Sequence, residues 1–107
     1  MPHRKGSAPV FAALGDETRL RLIYHLCNCG PLSITGLTTG SRVTRQAITK
    51  HLRVMERAGL VRSSRRGRES VWQLEHRRLE YARRHLELIS RSWDDALGRL
   101  RNLVEHD

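Results

Sequence analysis

The chain has 107 residues, 38% of them hydrophobic, and carries 20 Lys and Arg against 11 Asp and Glu, a net charge of +9. That describes one small domain with a modest core, and no apolar run approaches the ~20 residues that span a bilayer. No charged start leads into an apolar stretch, so no secretory signal is expected, and two cysteines one residue apart cannot easily bridge each other, which fits a reducing cytoplasm.

In chain order, residues 1–7 read as a loose polar tail and 8–107 as a single domain. Val10 to Leu14 make a short apolar helix that stops at Gly15. Asp16 is a good N-cap, with Glu17 in the first turn where the helix dipole favours an acid. Leu20, Ile23, Leu26 and Cys27 then fall on one helical face, and Gly30-Pro31 ends the second helix. On that face Cys27 is expected in the core and Cys29 in solvent. Ser33 caps a short third helix bearing Ile34 and Leu37, and Thr38 to Ser41 are turn formers. A fourth helix runs from Thr44 to about Ala58, with Gly59 at the C′ position. Leu60–Ser64 and Ser70–Leu74 read as strands joined by a hairpin at Arg65–Glu69, a wing over about 61–74. The last helix covers about 76–105.

The charge is concentrated. Residues 42–68 hold nine Arg and Lys against Glu56 alone, a net of +8, whereas residues 69–107 net −1. Such a segment suits a polyanion. A membrane surface is the poorer candidate, because no Trp- or Phe-rich face opposes the charges.

The fourth helix divides into two faces. At ~100° per residue, Arg45, Gln46, Thr49, Lys50, Arg53, Glu56 and Arg57 fall within an arc of about 140°. Ala47, Ile48, His51, Leu52, Val54, Met55 and Ala58 fill the other side. His51 is expected as a satisfied core histidine. Arg pairs with guanine and Gln with adenine in the major groove, and a short helix, a turn and such a helix follow the helix-turn-helix order. A hairpin tipped with three arginines can then reach phosphates or the minor groove.

The stretches "ALGDETRLRLIYHL", "PLSITGL" and "VTRQAITKHLRVMERAGLVRSSRRGRESVWQL" resemble the ArsR/SmtB family of winged-helix transcriptional regulators over about residues 8–75. The resemblance implies a mainly α winged helix-turn-helix fold with a small β-hairpin, in the order of four helices, two strands and a long last helix. It implies a homodimer, and repression relieved by an effector whose identity stays open. Carried onto this chain, Arg45, Gln46, Thr49 and Lys50 face bases, Arg53 continues their face, Thr44 caps the helix and can touch phosphate, and Arg65, Arg66 and Arg68 form the wing tip. The dimer seam is expected at Leu86, Ile89, Trp93, Leu97, Leu100 and Val104 on the last helix, with Val10, Phe11 and Leu14 on the first. The operator should then be an inverted repeat.

Two features depart from the family. Ser33 and Thr35 stand where many members carry a Cys-x-Cys on the third helix. His85 and His106 lack the Asp-x-His that others pair with a distant His. No metal site and no cofactor are therefore expected. Cys27 and Cys29 read best as inert thiols, with a thiol switch and a metal-responsive site as alternatives. An RNA-associated basic protein is the other class, opposed by the absence of aromatics on the basic face of residues 44–57. No nucleophile elbow, P-loop or dinucleotide motif is present, so an enzyme is not expected.

Overall fold

The computed structural model describes residues 7–105. Apart from Ser7, the expected tail lies outside the described residues, and so does His106. The elements in chain order are α1 (Ser7–Leu14), α2 (Glu17–Cys29), β1 (Leu32–Ser33), α3 (Ile34–Thr38), α4 (Arg45–Arg57), β2 (Val61–Arg66), β3 (Glu69–Leu74) and α5 (His76–Glu105).

Capping chemistry sets the helix starts. The Asp16 carboxylate accepts from the Arg19 N–H at 3.0 Å, the Ser33 hydroxyl from Gly36 at 3.2 Å and the Thr44 hydroxyl from Ala47 at 3.1 Å. Each satisfies a donor that the first helical turn leaves orphaned. Gly59 follows α4 at φ 82°, and a Cβ there would meet the Arg78 side chain at 3.1 Å. The chain turns sharply into β2 at that point.

The sheet has three strands in the order β1-β3-β2. The strand β1 was not expected; it pairs Leu32 with Trp72 and Ser33 with Val71. Toward the tip, β2 runs two residues and β3 one residue further than the apolar pattern suggests, closing Arg66 against Glu69 across a two-residue turn, Gly67-Arg68. Gly67 has φ 64°, the conformation a tight hairpin requires.

The core is built from Leu22, Ile23 and Leu26 of α2, Ile48, Leu52 and Met55 of α4, Leu60 just before β2, and Trp72 and Leu74 of β3. Two expectations are corrected here. Val10, assigned to the dimer seam, is 0% exposed inside the chain's own core, because α1 lies against α2, α4 and α5. Phe11 and Leu14 are half-buried and also pack on that core. Cys27, assigned to the core, is exposed, as Cys29 is. The buried stripe of α2 is centred near Leu26, and Cys27 lies ~100° around the axis from it.

The long α5 changes character along its length. Leu79 and Ala82 pack on the core. From Leu86 onward the apolar stripe faces outward, with Ile89 60%, Trp93 62% and Leu100 58% exposed. Among the described residues, no helix is long and apolar enough to cross a membrane.

Candidate nucleic-acid interface

The polar arc of α4 is on the surface. Arg45, Gln46, Lys50, Arg53 and Arg57 are exposed, while Thr49 and Glu56 are half-buried. The opposite arc supplies the core residues Ile48, Leu52 and Met55. The two halves of the exposed arc differ in what they touch. In the first half, Gln46 and Lys50 make no side-chain hydrogen bond or ion pair among the described residues, and Arg45 reaches only the Thr35 hydroxyl at 3.4 Å. The Thr49 hydroxyl donates back to the Arg45 carbonyl at 2.9 Å.

In the second half the side chains are committed to the protein. Arg53 pairs with Glu56 at 3.2 Å. Its guanidinium also stands 5.5 Å from the centre of the Trp72 ring, a cation–π contact with the sheet. Glu56 accepts from the Ser63 hydroxyl of β2 at 3.4 Å. Arg53 thus fastens α4 to the root of the wing, a role that the helical arc alone does not reveal.

Beyond Val61, every residue of β2 is exposed. Arg65, Arg66 and Arg68 stand around the wing tip, and among the described residues no carboxylate lies within ion-pair distance of them. Arg62 is different, with Glu75 3.8 Å away. Sequence reasoning left Arg42 out of the candidate site. It is exposed two residues before the α4 cap, unpaired among the described residues, and its position in the charge run was the available signal.

Behind α4, His51, expected in the core, is only half-buried, and its ring has polar neighbours. Its Nδ1 lies 3.2 Å from Arg19 Nη1 and 3.8 Å from an Asp16 carboxylate oxygen. The Arg19 backbone N–H, with further help from the nearby His51 and Arg19 charges, holds the Asp16 carboxyl below its ordinary value of 3.8. These contacts join the start of α2 to the back of α4. Among the described residues, no three His, Cys, Asp or Glu side chains gather as a metal-holding group.

A short helix, a turn, an amphipathic helix with an outward basic face and a two-stranded basic wing define a winged helix-turn-helix DNA-binding domain. Residues 16–63 match the bacterial regulatory proteins of the arsR family. An HTH-type transcriptional regulator of Bacillus subtilis is 43% identical over 68 residues, 58% of this chain and 74% of that protein. Another from Mycobacterium tuberculosis is 33% identical over 95 residues, 89% of this chain and 85% of that protein. The solved structure of an ArsR-like transcriptional regulator from Rhodococcus has a TM-score of 0.74 at 38% identity, covering 91% of each chain. The chain belongs to the arsR family and is a transcriptional regulator with a winged helix-turn-helix DNA-binding domain.

Proposed function

We propose that this protein is a homodimeric repressor, acting in the cytoplasm on an inverted-repeat operator, with residues 8–107 working as one domain. Arg45, Gln46, Thr49 and Lys50 read base edges in the major groove. Thr44 and the wing residues Arg65, Arg66 and Arg68 hold phosphates, and Arg53 acts at one remove, by fixing the helix against the wing. The observation that carries this reading is the first half of the α4 arc, where Arg45, Gln46 and Lys50 are exposed and, among the described residues, held by no ion pair. The dimer forms through the outward stripe of α5, Leu86, Ile89, Trp93, Leu97, Leu100 and Val104, with Phe11 and Leu14 at its edge. The releasing signal is not a thiophilic ion.

The test is DNA anisotropy on a selected operator and on a random duplex, over a range of salt. Log K should fall with log salt by roughly 0.9 for each phosphate neutralised. Arg45→Ala or Gln46→Ala should cost about 1–3 kcal/mol on the operator and little on random DNA, whereas Arg65→Ala should weaken both alike. Equal losses on the two duplexes for Arg45→Ala would remove α4 as the reading element.

A further inference from the structure

A cavity of about 400 Å³ lies between one face of α2 and the turn joining α3 to α4. Small-molecule sites span roughly 300–1,000 Å³. Its floor is apolar, made of the buried Leu22, Leu37 and Ile48. Arg21, His25, Ser41 and Arg42 also line it, and no acidic residue does. A divalent cation would find no carboxylate there. A purely apolar ligand would make no use of the two arginines. An anion with an apolar body satisfies both parts of the wall.

The two arginines are available for such a ligand. Arg21 lies 3.8 Å from Glu17, with both side chains more than two-thirds exposed, and so loose a surface pair contributes little. Arg42 makes no ion pair among the described residues. A guanidinium fork can take a carboxylate through two parallel N–H···O bonds, which a neutral group cannot reproduce.

The cavity wall is also the lead-in to α4. The Ser41 N–H donates to the Thr38 carbonyl at 2.9 Å, and the Ser41 hydroxyl accepts from the Val43 N–H at 3.0 Å. Gly40 permits this fold-back at φ 76°. Thr44, the α4 cap, is the next residue after Val43, and Arg45 and Gln46 follow it. A ligand held on Ser41 and Arg42 therefore bears directly on the orientation of the first turn of α4.

We propose that this cavity binds a small organic carboxylate with an apolar body, and that its occupancy changes the protein's hold on DNA. The second half of the proposal rests on the operator reading given above; the first half does not. A ligand shifts an equilibrium only by its differential affinity for the two states, and coupling of this kind is typically ~5–150-fold.

The experiment has two arms. In the first, benzoate is titrated into the ¹⁵N-labelled protein, with benzyl alcohol as an uncharged probe of the same size. Saturable shifts of the Gly40, Ser41 and Val43 amides are expected with benzoate, at an affinity about tenfold or more above that of benzyl alcohol. Arg21→Gln, a surface change that leaves the core intact, should remove the preference for the charged probe. Unchanged turn amides at about 20 mM benzoate, weaker than any useful site, would overturn the proposal. Equal binding of the two probes, or full charge preference in Arg21→Gln, would overturn it as well. In the second arm, saturating benzoate should change operator affinity about fivefold or more in the unaltered protein, an effect lost in Arg21→Gln. Benzoate binding with operator affinity unchanged would overturn the regulatory half. A protein that binds no duplex would instead overturn the operator reading, and the amide shifts would still decide the cavity.

Discussion

Trp93→Asp should separate the protein into monomers while leaving each monomer folded. The side chain is 62% exposed on the outward stripe of α5. A Trp presents at most ~250 Å², so ~150 Å² per copy remains to be covered. At ~25 cal/mol per Å² that is ~4 kcal/mol per copy. A two-fold interface contains the residue twice, which gives a gross ~8 kcal/mol. Association surrenders a large part of any such sum. If only half survives, the loss is ~4 kcal/mol, close to a thousandfold in the dimer dissociation constant. The aspartates add an uncompensated charge to a seam that is otherwise apolar. Sedimentation equilibrium at ~10 μM, a concentration that separates nanomolar from weak dimers, reads the change directly. Far-UV circular dichroism should stay helical, because Trp93 contributes nothing to the core formed by Leu79, Ala82 and the other buried residues. Operator binding should fall with dimerisation. A variant that remains dimeric, or an unaltered protein that sediments as a monomer, would refute the assignment of this stripe to a second copy.

Arg53→Ala should lower stability in urea by about 1 kcal/mol, the combined scale of an exposed ion pair and a cation–π contact, and weaken operator and random DNA by equal, modest factors. A selective loss on the operator with an unchanged urea midpoint would make Arg53 a reading residue instead. Acid should loosen the α2 start. Because the folded-state pKa of Asp16 is depressed, chiefly by the Arg19 backbone N–H, its contribution is present above the unfolded value and is lost as pH falls below about 4 through the folded one. Asp16→Ala should therefore lower Tm at neutral pH and flatten the acid limb of the Tm profile; an unchanged acid limb would show that the cap does not titrate there. Zinc, cadmium and arsenite should fail to release the operator. Both thiols are exposed, but residues two apart on a helix point ~200° from each other, and the Ser33 hydroxyl is already taken by the Gly36 N–H. Release at stoichiometric ion in an anisotropy titration, abolished by Cys27→Ser with Cys29→Ser, would show a sensor where none is expected.

Features whose cause is local were legible in the chain. The caps at Asp16, Ser33 and Thr44 each depend on one oxygen and an N–H three residues on. The polar arc of α4 was legible because the whole helix rests on one packing surface, so the 3.6-residue period survives intact. What depended on distant partners was not. An apolar residue on a short helix does not declare whether its own core or a second copy will cover it, and Val10 was misassigned for that reason. Cys27 sits at the margin of the α2 stripe, where one residue of phase decides between core and solvent. The strand β1 is two residues held by backbone pairing to Trp72 and Val71, and backbone pairing of that length leaves no side-chain period to read.

The same distinction explains how one arc of α4 serves two purposes. Its residues are alike in composition from Arg45 to Arg57, and helical periodicity treats them as one face. The sheet breaks that equivalence. Trp72 and Ser63 come close enough to engage Arg53 and Glu56, so the C-terminal half of the arc fixes the angle between helix and wing. The N-terminal half has no such neighbour, and Gln46 and Lys50 remain free of side-chain partners among the described residues. A side chain already paired within the protein must give up that partner before it can bind a base, whereas an unpaired one gives up only water. On the proposed operator reading, base contacts on this helix concentrate in its first two turns, next to the turn that forms the wall of the Leu22–Leu37–Ile48 cavity. A displacement of that turn would reach the reading residues before it reached the Arg53 anchor.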